Sequence, residues 1–144
     1  MSMKDLNFDS GVVTYSLNGK CEVSFNPTDS NFVERIYTAF NDLDKKQDEY
    51  KSRIEKMADK KEIFEFARER DAEMRTIIDG VFDAPVCDAV FGGMNIYAMA
   101  SGLPAWVNLM LAVMDECDTM FAREQKATNP RIAKYTAKWS KYKK

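Results

Sequence analysis

Val33, Ile36, Phe40, Leu43, Gln47, Tyr50, Ile54 and Met57 follow one another in alternating steps of three and four residues. Side chains so spaced share one stripe of an α-helix, whereas a strand would scatter them over both faces. A long helix is therefore predicted, capped by Thr28 or Asp29 after Asn26-Pro27 and running to about Ala58. Its other faces carry Asp, Glu, Lys and Arg, and Gln47 reads as a register device or a solvated edge. A second stripe follows in Ile63, Ala67, Arg70, Met74, Ile77 and Val81, but the six residues from Met57 to Ile63 put it out of phase with the first. Asp59 with Glu62 three residues later is a capping pattern, which places a break near residues 58–61. The predicted result is a helical hairpin. One long kinked helix is the competing reading, and a free coiled-coil dimer through the same stripe is less favoured than packing within the chain.

Before these helices, Val12–Leu17 and Lys20–Phe25 alternate in polarity around Asn18-Gly19, the strongest short-range signal for a β-hairpin. Val13, Tyr15 and Leu17 share one face with Cys21, Val23 and Phe25. A lone hairpin is marginal in water, so that face must pack on the helices, pair with a strand such as Leu6–Phe8, or extend a partner's sheet. After the helices, Asp79-Gly80-Val81-Phe82-Asp83-Ala84 is nearly repeated nine residues on as Asp88-Ala89-Val90-Phe91-Gly92-Gly93. The pair reads as two short helical turns that present Val and Phe inward. Asp79, Asp83 and Asp88 read as turn and cap residues. Asn95–Ser101 is a short apolar turn, and Gly102-Leu103-Pro104 opens another helix with Pro104 in its first turn. Trp106, Leu109, Met110, Val113, Cys117, Met120 and Phe121 mark that helix's buried face. The fold class expected is mainly α with a small N-terminal β-hairpin, as one domain over residues 1–125.

Residues 126–144 form a basic C-terminal tail with seven Lys and Arg and no acidic residue, against 14 basic and 23 acidic residues in the first 125. A tail of +7 is thus joined to a body of −9. Lys126–Pro130 reads as a helix stop and linker. Ile132, Tyr135, Trp139 and Tyr142, interleaved with Lys134, Lys138 and Lys141, form a basic amphipathic helix that needs a surface to fold on. Its own body, a partner protein, nucleic acid and an anionic membrane are the four readings. A protein surface is favoured, because the acidic body would repel phosphate and no nucleic-acid motif is present.

The chain has no histidine and only three cysteines, Cys21, Cys87 and Cys117, with no CxxC pair, which removes the usual zinc sites and the His-dependent nucleophilic triads. The cysteines read as small buried hydrophobes. Asp115, Glu116 and Asp118 cluster in sequence but point apart on a helix, so a solvated face is expected there and no metal, cofactor or catalytic residue is assigned. No run approaches the roughly 20 apolar residues of a membrane span, and the N-terminus lacks the apolar core of a signal peptide, so a cytoplasmic, non-enzymatic protein is expected.

Taken together, Asn26-Pro27-Thr28-Asp29 with Phe32, Ile78-Asp79-Gly80-Val81-Phe82 and Val90-Phe91-Gly92-Gly93, in the order hairpin, long helix, second helix and apolar helix, resemble the tail assembly chaperone-like proteins of siphophages and prophages. The likeness covers most of residues 10–125. Where the family often has Gly after the first Phe, this chain has Asp83-Ala84-Pro85. The resemblance implies a non-catalytic protein in a bacterial host that coats the tape measure protein and helps tail tube subunits polymerise. It also implies an apolar groove around the repeat, with Val81, Phe82, Val90, Phe91, Met94, Trp106, Met110 and Met114 as candidate lining. The chain's nine methionines would suit varied apolar partners. The basic tail, through Lys134, Tyr135, Lys138, Trp139, Lys141 and Tyr142, would recruit tube subunits or dock on its own body. Some family members also make a longer product by frameshifting, and Lys143-Lys144 fits an A-rich slippery run. The alternatives are a structural minor tail or head–tail connector protein and, less favoured, a nucleic-acid-binding regulator. The open hairpin edge and the heptad stripe both offer self-association as a homo-oligomer.

Overall fold

The computed structural model describes residues 2–127 and 129–139. It is mainly helical with two small hairpins. Strands β1 (Val13–Leu17) and β2 (Cys21–Phe25) pair antiparallel, with Tyr15 opposite Val23. The turn between them works because Asn18 and Gly19 both take positive φ, 52° and 69°, which matches the twist of the strands. It is closed by the Lys20 N–H on the Leu17 carbonyl at 3.0 Å. Of the three roles open to the apolar face, the hairpin takes packing on the helices. Val23 and Phe25 are buried, and Phe25 stacks on Phe32 with ring centroids 4.1 Å apart. Leu6–Phe8 forms no strand and is exposed.

Helix α1 (Ser30–Glu55) and helix α2 (Lys60–Phe82) form the predicted hairpin, and both begin at an aspartate. Asp29 accepts from the Asn31 N–H at 2.9 Å and Asp59 from the Lys61 N–H at 3.1 Å, bonds that each stabilise a helix start by about 1 kcal/mol. The helices run antiparallel. Tyr50 meets Phe66 edge-on at 5.6 Å, and farther along Arg35 Nε reaches the Val81 carbonyl at 3.4 Å. Tyr50 also donates to Glu73 at 3.0 Å, and Lys46 pairs with the same carboxylate. Lys46, and then Tyr50, hold Glu73 below the usual carboxylate range against its partial desolvation. The first stripe is buried or half-buried throughout, joined by Phe32 and Ala39. In α2, Phe66 and Ile78 are buried as well, beyond the predicted stripe.

Helix α3 (Val86–Phe91) follows α2 after three residues. Residues 99–104 then depart from the sequence reading. They form a second hairpin, β3 (Met99–Ala100) and β4 (Leu103–Pro104), around Ser101 and Gly102, whose φ values are 54° and 79°. Pro104 accordingly caps helix α4 (Ala105–Lys126) from outside its first turn. The face of α4 is also rotated from the expected one. Val107 and Met114 are buried, while Phe121 is 52% exposed. Trp106, almost wholly buried, lies 6.2 Å from both Phe40 and Tyr97, so aromatic contacts join α1, α4 and the segment before β3. Burying side chains of this size supplies roughly 1.5–3 kcal/mol each. Among the described residues no polar or charged side chain is fully buried. Helix α5 (Arg131–Trp139) begins after Asn129, whose side chain accepts from the Arg131 N–H at 3.0 Å. No described helix is long and apolar enough to cross a membrane.

Candidate interaction groove

The nine-residue repeat turns out to be a repeat of helix ends. Val81-Phe82 closes α2 before Asp83 at φ 52°, and Val90-Phe91 closes α3 before Gly92 at φ 57°. The first copy is therefore the last turn of a long helix and not a separate short one. In both copies the valine is buried and the phenylalanine half-buried. Gly92 combines its positive φ with ψ −132°, a conformation that L side chains rarely adopt, although a Cβ there would meet nothing within 4 Å. Gly92→Ala is thus expected to cost about 1–3 kcal/mol through backbone strain alone, checked by urea unfolding with an unchanged native spectrum.

The three aspartates have separate structural duties. Asp79 accepts from the Cys87 N–H at 2.9 Å, capping α3 from the end of the preceding helix. Asp83 supplies the left-handed residue after α2. Asp88 pairs with Arg75 at 2.7 Å. Arg75, which the sequence reading did not single out, also donates to Asp71 at 3.0 Å and to the carbonyls of Gly92 and Met94 at 2.8 and 2.6 Å. The other oxygen of Asp71 accepts from the Ile96 N–H at 2.7 Å, and Asn95 Nδ2 donates to the Ala67 carbonyl at 3.1 Å. The loop after α3 is thereby fastened to α2.

That fastening shapes a groove of about 470 Å³ between the first hairpin turn, α3 and α4. Leu17, Val90, Phe91, Met94, Leu109 and Ala112 give it an apolar lining, with Lys20 and Asn108 as polar members. Lys20 Nζ reaches the Val90 carbonyl at 3.5 Å, where a cation complements the C-terminal end of α3. Asn108 donates to the Ala100 carbonyl at 2.8 Å and ties α4 to the second hairpin. A larger depression of about 510 Å³ has a different character, being lined by Asp48, Lys51, Glu55 and Arg70 beside Tyr97 and Met99.

Of the eight predicted lining residues, the structure brings Val90, Phe91 and Met94 to the groove. Val81, Trp106, Met110 and Met114 are buried in the core, and Phe82 packs against Phe32 at 6.0 Å, holding α2 to α1. Leu17 and Lys20 of the first hairpin and Leu109 of α4 complete the lining. Of the tail residues, Lys134, Tyr135 and Lys138 are exposed on α5, with Lys134 Nζ 5.6 Å from the Tyr135 ring centre. Trp139 is the last residue of α5, while Lys141 and Tyr142 lie outside the described residues.

The cysteines are free, with Cys87 and Cys117 buried. Burial, reinforced by Asp79, pushes the Cys87 thiol well up, and burial with Asp118 pushes Cys117 up to about 11. Both are therefore protonated and unreactive at neutral pH.

No protein-family model, no curated protein and no solved structure matches this chain. Its fold and groove define a class in physical terms: a mainly helical protein with an apolar cleft built by a hairpin turn and two helices.

Proposed function

We propose that the chain is a non-catalytic binding protein whose groove takes the apolar face of a partner's amphipathic helix. The observation that carries this reading is the accessible lining of Leu17, Phe91, Met94 and Leu109, with Lys20 and Asn108 placed to orient a ligand. Met94, 46% exposed, is a flexible side chain that can adjust to different apolar partners. Following the family resemblance in the sequence, the helix belongs to a phage tape measure protein, and the chain is a tail assembly chaperone acting during tail morphogenesis in the bacterial cytoplasm.

The test is co-purification with a phage tape measure protein. The native chain should retain the partner, and Phe91→Asp and Met94→Asp should each weaken binding at least roughly tenfold by placing a charge against an apolar face. Met94 is exposed enough that its variant should keep a native circular dichroism spectrum, so loss of binding there reports on the groove. Absence of binding by the native chain would sink the proposal.

A second reading, a structural component of the finished particle, draws on the N-terminal arm. Met3, Leu6 and Phe8 are 90%, 86% and 84% exposed, as expected of an arm buried on assembly. Mass spectrometry of purified virions separates the two, since a chaperone should be absent from them.

A further inference from the structure

Helix α5 is amphipathic and basic, yet every side chain described from Arg131 to Lys138 is exposed, including Ile132 at 72%. A helix of nine residues is not stable in water by itself, so the exposed apolar side chains Ile132 and Tyr135 of α5 call for a surface to pack on. The chain carries a surface of complementary character on α1 and α4. Tyr37 and Phe121 are its exposed aromatic members. Helices α1 and α4 pack against each other, with Asp115 and Asp118 exposed on α4, and partial burial followed by these carboxylates pushes the Tyr37 hydroxyl's pKa up. Asp44 lies seven residues beyond Tyr37 on the same face of α1 and is exposed, as are Asp115 and Asp118. The patch thus pairs two aromatic rings with three carboxylates, against Ile132 and Tyr135 flanked by Arg131, Lys134 and Lys138. None of its residues is among those lining the groove.

We propose that α5 of one chain docks on the Tyr37–Phe121 patch of a second copy, with Lys134 and Lys138 facing Asp115 and Asp118. Each chain offers both surfaces, so a reciprocal exchange closes a two-fold dimer. This is independent of what occupies the groove.

Sedimentation equilibrium of the full chain over roughly 1–200 μM tests it, and the dimer constant should weaken about tenfold or more between about 50 and 500 mM salt. Asp115→Lys/Asp118→Lys and Lys134→Glu/Lys138→Glu should each be monomeric over that range. Mixed together, the two variants should form a heterodimer, because both contacts regain opposite charges. Circular dichroism verifies that each variant is folded. A native chain that stays monomeric throughout overturns the proposal, with α5 protected from hydrogen exchange pointing to docking on its own body. A dimer indifferent to both charge reversals overturns it equally.

Discussion

Replacing Arg75 by alanine should destabilise the protein by about 3 kcal/mol, more than any ordinary surface substitution. The guanidinium makes four hydrogen bonds while its side chain is only 14% exposed. Its partners are not equal. Asp88, 80% exposed, can be rehydrated, so that pair contributes at most about 1 kcal/mol. Asp71 is 18% exposed, and without Arg75 its carboxylate keeps only the Ile96 N–H while staying largely out of water. The carbonyls of Gly92 and Met94 lose a charged donor at the same time. Arg75→Lys should recover less than half of the loss, because an ammonium cannot span two carboxylates and two carbonyls with a planar fork. Urea unfolding measures the difference, with Asp88→Ala as the control that should cost less than about 1 kcal/mol. Faster hydrogen exchange near Met94 and Ile96 should accompany it, since the loop forming one groove wall is held by this side chain. A loss below about 1 kcal/mol for Arg75→Ala would show that the loop is held by apolar packing instead.

Arg75 also illustrates what was legible in the sequence and what was not. Features set by neighbours within a few residues are legible: Asn18-Gly19 as a hairpin turn, Asp29 and Asp59 as helix caps, and the break between α1 and α2. Their physics is local, a positive φ or a side-chain acceptor within two residues. The departures arise where tertiary packing decides. Phe121 belongs to the apolar stripe of α4 by spacing, but α4 packs on α1 so that burial falls on Val107 and Met114 and leaves Phe121 exposed. The second hairpin has only two residues per strand, too few to show alternation, and Ser101-Gly102 was its only signal. Phe82 and Phe91 are equivalent in the repeat, yet one packs on α1 and the other lines the groove, because α2 and α3 end against different neighbours. The groove itself joins residues near 17, 91 and 109, and no local pattern connects them.

The second large effect expected is alkaline unfolding. Burial, followed by the Glu116 carboxylate, pushes Tyr15 up to about 12. Burial and the Glu73 carboxylate that it donates to push Tyr50 up to about 12. Burial also raises Tyr97, which stands between Tyr50 and Trp106. A folded-state pKa above the ordinary 10.0 means that the native protein resists ionisation. The unfolded chain therefore gains stability first, beginning at about pH 10. Native stability from these groups is complete below that pH and is lost as the pH rises through 10 toward 12. Two pKa units correspond to about 2–3 kcal/mol per tyrosine, so Tyr15 and Tyr50 together remove roughly 5 kcal/mol, a large part of what a domain of this size has. Urea unfolding at about pH 8, 10 and 11.5 should show this fall, with tyrosinate absorbance appearing together with loss of helical signal. In Tyr15→Phe/Tyr50→Phe the fall should shrink by more than half, because the benzene rings keep the packing on Phe25 and Phe66 but have no proton to release. Equal pH dependence in the native and doubly substituted proteins would assign the alkaline transition to other groups.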